Sequence, residues 1–484
     1  MEQVLKEAHM DKGWNKYIPA VCAALGALCL AGTVWAVLAL DLTWLEAYTE
    51  GGSGYFGPAL GTAGQRLAVA AVLLALAALA LLLLRLEGTG RSILWVMLLP
   101  VGAAILLRAA CLNYTSTDYT DFLARWVEFF RDNGGFAGLS ADLGDYNVPY
   151  LYVLAAISYF DVPDLYLIKL FSILADVLLA WGGFRLVRVL RGGREGDRVP
   201  FIAFCLLLFL PTAVLNGAFW AQCDAVYGAL VLHALALVLE GRNKSSVALL
   251  AVAFSFKLQA VFLIPFWGVL WLARRVKFWE LWVFPLTYLV TAVPALLLGK
   301  PLADILLVYF DQAGEYAHRL VLNAPTAYQF IPYGVEVDTA AAARLGIAAA
   351  AVLVFALFAV ALRLGRRLDQ SALFAMAALL SIGVPFLLPH MHERYFFLAD
   401  VITLCWACSN WRRAPAVLAG AASLASYILY LRLKYNHVLR IFGLRFVMGL
   451  ETLTMLAALV FSAVIAVLEI KRCQRKTSEG AADL

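Results

Sequence analysis

Leu67 to Leu84 reads LAVAAVLLALAALALLLL, 18 residues without a charge, an amide or a hydroxyl. At 1.5 Å per residue a helix of this length covers about 27 Å, close to the ~30 Å hydrocarbon core of a bilayer. Arg66 and Arg85 flank it, so the run reads as one membrane crossing. Working outward, apolar runs recur at about 17–40, 66–86, 93–112, 164–190, 200–216, 222–240, 246–256, 260–273, 278–298, 344–363, 371–388, 396–410, 415–432 and 446–469. They predict an all-α polytopic membrane protein, a bundle of about 14 transmembrane helices. A further apolar stretch, Val148 to Phe160, reads as re-entrant.

Composition agrees. The chain is 63% hydrophobic with a mean hydropathy of +0.82, where a soluble domain is about half apolar. The net charge of +5 does not indicate a nucleic-acid partner, because the basic residues sit in short loops; the bilayer is the partner they imply. The first apolar run has no convincing small-residue cleavage site, so it is read as a span and not as a cleaved signal. Cys405 and Cys408 form a C-x-x-C inside a predicted span, where small packing residues are expected and neither a disulfide nor a metal site.

Loop charge orients the bundle. Basic clusters fall at Lys6, Lys12 and Lys16; Arg85 and Arg91; Arg185, Arg188, Arg191, Arg194 and Arg198; Arg242 and Lys244; Arg274, Arg275 and Lys277; Arg363, Arg366 and Arg367; Arg412 and Arg413; and Lys471, Arg472, Arg475 and Lys476. With 14 spans they share one side, about 24 of the 38 Lys and Arg. The positive-inside rule makes that side cytoplasmic, with both termini inside a multi-pass cell-membrane protein. The long loops 113–147 and 299–339 then lie outside, where function concentrates. Residues 1–90 form a two-span N-terminal extension with an outer linker at 48–64, residues 91–470 a core with a large first outer loop, and residues 471–484 a cytoplasmic tail, disordered after Lys476.

Five polar motifs fall at the outer ends of the apolar runs. Asp118 opens the first outer loop, close to Asp121. The apolar residues Phe122, Trp126, Phe129 and Phe130 predict an amphipathic surface helix over 118–131 that Asp118 would cap, unless its carboxylate serves chemistry. Asp145, Tyr146 and Asn147 close that loop, either as a turn before Pro149 or as sugar-binding groups. Trp220, Gln222 and Asp224 begin a span; Trp220 and Asp224, four apart, would share a helix face. Lys257 and Gln259 sit at the recessed tip between two short runs, with Lys257 either snorkelling or holding an anion. His390, His392, Glu393, Arg394 and Tyr395 crowd one membrane boundary. His390 and Arg394 would share a helix face, and Arg394 carries the fork that fits phosphate; Glu393 paired with Arg394 as a neutral structural cluster is the plainer reading.

Carboxylates beside Lys, Arg and His suit a donor with a phosphate leaving group and an acceptor hydroxyl that needs a base. No Gly-rich phosphate loop accompanies them, which points to a lipid-linked donor. Asp118-Tyr119, Trp220-Ala221-Gln222-Cys223-Asp224, Lys257-Leu258-Gln259 and Met391-His392-Glu393-Arg394-Tyr395, in that order, resemble the glycosyltransferase C superfamily. The likeness is to bacterial proteins related to the second mannosyltransferase of glycosylphosphatidylinositol anchor synthesis, and it spans roughly residues 93–470. It implies an enzyme that moves one hexose, mannose favoured, from a polyprenyl-phosphate donor to an extracytoplasmic lipid- or glycan-linked acceptor, with inversion. It implies Asp118 as the base, with Asp121 as the alternative. Donor phosphate would meet Arg394, Lys257, His392 and His390. No cofactor is expected, and a divalent metal is not favoured. A transporter or flippase, or a polysaccharide ligase, remains the alternative to a single-sugar transferase. The two N-terminal spans lie outside the resemblance.

Overall fold

The computed structural model describes residues 2–48, 54–315, 318–332, 335–410, 413–431 and 443–482. Lys6, Lys12, Lys16, Arg412 and Lys476 of the basic clusters have side chains outside the described residues. In chain order the helices are α1 (Glu2–Ala39), α2 (Ala63–Leu86), α3 (Arg91–Ala110), α4 (Ala124–Asp132), α5 (Val148–Ile157), α6 (Asp164–Leu190), α7 (Val199–Leu208), α8 (Pro211–Val214), α9 (Asp224–Leu239) and α10 (Asn243–Phe256). They continue as α11 (Ile264–Leu272), α12 (Phe278–Leu281), α13 (Val283–Leu297), α14 (Leu302–Glu315), α15 (Thr339–Leu364), α16 (Gln370–Leu387), α17 (Phe397–Asn410), α18 (Arg413–Leu431) and α19 (Leu444–Ala482). Two short ribbons and several 3₁₀ turns accompany the helices. β1 (Gly54–Phe56) runs antiparallel to β2 (Tyr114–Ser116), and β3 (Val321–Leu322) parallel to β4 (Met391–His392).

All fourteen apolar runs fall on helix, but not all of them are long enough by themselves for a full crossing. Among the described residues eight helices are long and apolar enough to cross a membrane, or nine if the bent pair Val199–Leu208 and Pro211–Phe219 counts as one span. The difference is length. A 16-residue α9 and a 14-residue α10 rise only about 24 and 21 Å, short of the ~30 Å apolar core. Val148 to Phe160 is the ten-residue α5. α19 runs to Ala482; the side chains after Arg475, where the disordered tail is expected, lie outside the described residues.

Local chemistry sets the helix starts. Thr62 and Gln65 form a capping box at α2, and the carboxylates of Asp338 and Asp369 accept from Ala341 and Ala372 to open α15 and α16. Pro211 ends the α7 run, since proline removes a donor and clashes with the preceding turn. The carbonyl of Leu208, next to this break, accepts from the Arg108 guanidinium at 2.9 Å. Arg108 in turn pairs with Asp176 of α6 at 2.8 Å, both only 1% exposed. A charged pair inside an apolar bundle survives because each partner cancels the other.

The extension is packed, not appended. α1 crosses α3 at Gly26 and Gly102, where an added Cβ on Gly102 would come within 2.7 Å of the Gly26 carbonyl oxygen. Small residues of this kind allow close helix approach in membranes. The predicted linker also holds β1, with residues 49–53 outside the described residues. At one end of the bundle, ion pairs join several basic clusters: Arg185 meets Glu87 and Glu240, Arg188 meets Glu87, and Arg472 meets Asp369. α6 begins at the other end, where Asp164 pairs with Arg131 of the first long loop.

Asp176→Ala leaves Arg108 buried without its carboxylate and should lower stability by about 3–5 kcal/mol, read as an earlier unfolding midpoint in detergent. Arg108→Met combined with Asp176→Leu should recover most of that loss. A single variant that unfolds with the wild type would remove the pair from the account.

Candidate functional site

At the end of the bundle away from the basic clusters, a cavity of about 180 Å³ opens between the first long loop and the starts of several helices. Asp118, Asp145, Tyr146, Gln222, Lys257, Gln259, His392, Arg394 and Tyr395 line it, joined by Phe122, Leu123, Trp126, Gln312 and Tyr430. These groups come from segments more than 300 residues apart in sequence.

Asp118 ends the short stretch after β2. Its side chain makes no cap bond, so the capping reading fails. The following segment is a π-turn, Tyr119–Leu123, that runs without a break into α4; helix therefore covers the predicted 118–131, with the π-turn in its first half. The carboxylate faces the cavity instead. Gln222 Nε2 donates to it at 2.7 Å, the Tyr430 hydroxyl donates at 2.9 Å, and Arg394 lies at 3.5 Å. Three neighbours from three segments fix one carboxylate, an expensive arrangement unless the group is used.

Arg394 is held from below. Its guanidinium lies 5.4 Å from the centre of the Trp220 ring, and Trp220 stacks on Tyr430 at 4.4 Å. Glu393, fully buried, stands 3.6 Å from Arg394. Lys257 follows the end of α10 in extended backbone, 4% exposed, and pairs with the buried Asp224 at 2.5 Å. Asn216 donates to the same Asp224 at 2.5 Å and accepts from its backbone N–H at 3.1 Å. Lys257 is therefore a held cation and not a snorkelling one. Since α10 rises only about 21 Å from the basic end, Lys257 is recessed within the bilayer's depth.

The backbone is irregular where these groups converge. Leu215–Phe219 is a π-turn and Ala221 has φ +67°, a left-handed conformation rare for a residue with a Cβ. Trp220 and Asp224 consequently do not share a helix face, because α9 starts at Asp224 itself; they reach the site from opposite sides of a loop. Met391 and His392 pair with the second long loop as a strand, and Glu393–Phe396 is a 3₁₀ turn. The helix face expected to present His390 with Arg394 is absent. His390 adopts φ +62° and its Nδ1 lies 2.5 Å from the Arg319 carbonyl oxygen, outside the cavity.

Two other expected site residues are elsewhere. Asp121 is exposed and accepts from Thr120 at 3.2 Å. Asn147 caps α5 and donates to the Tyr288 hydroxyl at 2.8 Å. Trp220, Asp224 and Glu393 stand one layer behind the wall, acting on Arg394 and Lys257. Sequence reasoning missed Tyr430 and Gln312. Tyr430 lies near the end of a run read only as apolar. Gln312 sits in a long loop read without a helix, although Leu302, Leu306 and Tyr309 with Phe310 carry the period of α14.

Electrostatics favour anions and hydroxyls. Burial, then Arg394 and Lys257, hold the His392 imidazole well below its usual range, so it is neutral. Burial and Asp142 raise the Asp145 carboxyl. Three buried polar atoms on the wall have no protein partner among the described residues: Arg394 Nε, which can donate, and Gln259 Oε1 and Gln312 Oε1, which can accept. Unmatched groups of this kind are where a ligand's own polar atoms fit. Among the described residues no group of three His, Cys, Asp or Glu could hold a metal ion.

No protein-family model matches the chain, and no curated protein matches it. The class defined by fold and site is an all-α chain with membrane-span helices and a recessed, mixed-charge polar cavity at one end of the bundle.

Burial raises the Glu393 carboxyl to about 7 against the pull of Arg394. Its neutral form is the one the fold favours, so its contribution to stability is full below the unfolded carboxyl range and is lost as pH rises through about 7. The wild type should therefore lose, between about pH 4.5 and 7, some 3 kcal/mol that Glu393→Gln does not lose. Unfolding midpoints at pH 5 and pH 8 for both proteins check this. Parallel pH curves would contradict it.

Proposed function

We propose that the chain is an integral membrane glycosyltransferase that moves a single hexose from a polyprenyl-phosphate donor to a lipid- or glycan-linked acceptor. The observation that carries the reading is the cavity wall that sets Asp118 beside Arg394, with Lys257 recessed nearby. A lipid phosphate needs a cation below the headgroup region, and Lys257 and Arg394 are such cations. A sugar needs hydroxyl partners, and Gln259 and Gln312 offer acceptors without partners of their own among the described residues. The resemblance of the four motifs to glycosyltransferase C enzymes points the same way.

In this mechanism the donor phosphate binds Arg394 and Lys257. The acceptor hydroxyl loses its proton to Asp118 as its oxygen bonds to the sugar's anomeric carbon. The bond from that carbon to the phosphate oxygen breaks, and its electron pair leaves with the polyprenyl phosphate. Arg394 and Lys257 offset the charge that builds there. Attack opposite the leaving group inverts the anomeric centre. Mannose is the favoured sugar. On this reading the fourteen apolar runs, long and short, all count as crossings, so the basic clusters and both termini lie on the cytoplasmic side and the cavity on the outer side.

Purified protein given labelled polyprenyl-phosphate hexoses and membrane glycolipid extract should transfer label. No transfer from any donor by folded protein would sink the reading, and unchanged passage of substrate across a vesicle wall would favour a flippase. Asp118→Asn should lower kcat about 10²–10⁴-fold while donor still binds, whereas Arg394→Ala should weaken donor binding roughly 10–100-fold. For orientation, a membrane-impermeant thiol reagent added outside intact cells should label Asp121→Cys but not Arg194→Cys; the reverse pattern would place the cavity in the cytoplasm.

A further inference from the structure

The N-terminal extension has no role in the motif argument, yet it reaches the loop that carries Asp118. β1 pairs with β2 in the register Gly54–Ser116, Tyr55–Thr115 and Phe56–Tyr114, and Gly57 donates to the Asn113 carbonyl at 3.0 Å. Asp118 follows β2 by two residues. Ser116, the last residue of that strand, donates through Oγ to the Trp220 carbonyl at 2.9 Å and accepts from the Tyr119 N–H at 3.2 Å. The backbone on both sides of Asp118 is thus tied to β2, and β2 is tied to the extension. On the inner face, Phe56 packs edge-on against Tyr114 at 5.3 Å and Phe219 at 5.7 Å. Tyr114 and Phe219 stack at 3.6 Å. Phe219 precedes Trp220, the ring beneath Arg394.

We infer that the β1 ribbon of the N-terminal extension is a positioning element for the proposed transferase, setting the height of Asp118 over the cavity through β2 and Ser116. This rests on the reading of Asp118 as the proton acceptor. A two-stranded ribbon alone is marginal in water; here it is held by rings on its buried face and by the packing of α1 and α2 against the core. Residues 1–90 then act as part of the reaction unit, though none of the described residues among them lines the cavity. Gly54 is required by close approach, since a Cβ there would stand 2.3 Å from the Thr115 carbonyl oxygen and 2.8 Å from the Tyr114 ring. Tyr55, on the other face, is 46% exposed and serves as a control.

The test uses the full-length chain and two independent readouts. Gly54→Val and Phe56→Ala should speed amide hydrogen exchange across 114–123 about tenfold or more and leave α16 and α17 unchanged. The same variants should lower kcat for transfer from a polyprenyl-phosphate mannose about 10–100-fold, with a smaller change in the KM for donor, because small displacements of a reacting group are costly. Tyr55→Ala should match the wild type in both. Unchanged exchange over 114–123 would overturn the inference, and so would faster exchange with unchanged turnover. If the wild type transfers nothing while the variants still loosen 114–123, the ribbon holds the loop and it is the transferase reading that fails.

Discussion

Lys257 and Asp224 form an ion pair in which both side chains are buried and 2.5 Å apart. Taking either charge out of water alone would cost several kcal/mol, so each needs the other. Asp224 needs more still, and Asn216 supplies it with both a donor and an acceptor while also donating to the Tyr427 hydroxyl at 3.1 Å. This pairing explains why the backbone departs from regular helix just there. α10 stops at Phe256 so that Lys257 can extend toward α9. The π-turn before Trp220 and the left-handed Ala221 allow the chain to turn and begin α9 at Asp224. Irregular backbone within an apolar bundle is tolerated where it lines a cavity, and this cavity is lined by the charges that need it.

The same constraint runs around the wall. Arg394 lies between Asp118 and Glu393, and His392 is kept neutral beside two cations. Charges of both signs are balanced within a few ångströms, and among the described residues the wall leaves one guanidinium N–H and two amide oxygens without a partner. A wall like this sets paired charges beside unmatched donor and acceptor atoms without accumulating net charge. It is the physical basis of the proposed transferase, in which binding phosphate exchanges one carboxylate partner of Arg394 for another anion.

The helical architecture was legible in the sequence because apolar runs such as Leu67–Leu84 leave no alternative to helix in a membrane. Their number of crossings was not, since hydropathy reports burial as readily as lipid. α9, with Tyr227, Leu232 and Leu235 fully buried, is apolar because it is the core of the bundle. Most of the candidate site was also legible, as Asp118, Gln222, Lys257, His392 and Arg394 are polar residues with no reason to sit among apolar ones. What failed was helical spacing. Four-residue separations at 220–224 and 390–394 assumed regular helix, and tight turns stand there instead. Asp121 and Asn147 carried the right chemistry but serve local turns. Tyr430 carried no signal, since an aromatic near a span end is ordinary and only the fold brings it to Asp118.

The central claim is that Arg394 and Lys257 hold a lipid phosphate beside Asp118. Its most direct measurement is an electron-microscopy map of the protein with a polyprenyl phosphate bound. The account predicts phosphate density within hydrogen-bonding reach of Arg394 and Lys257, with the lipid leaving the cavity toward the bilayer. Phosphate density elsewhere on the chain, with Arg394 still closed on Asp118, would contradict it.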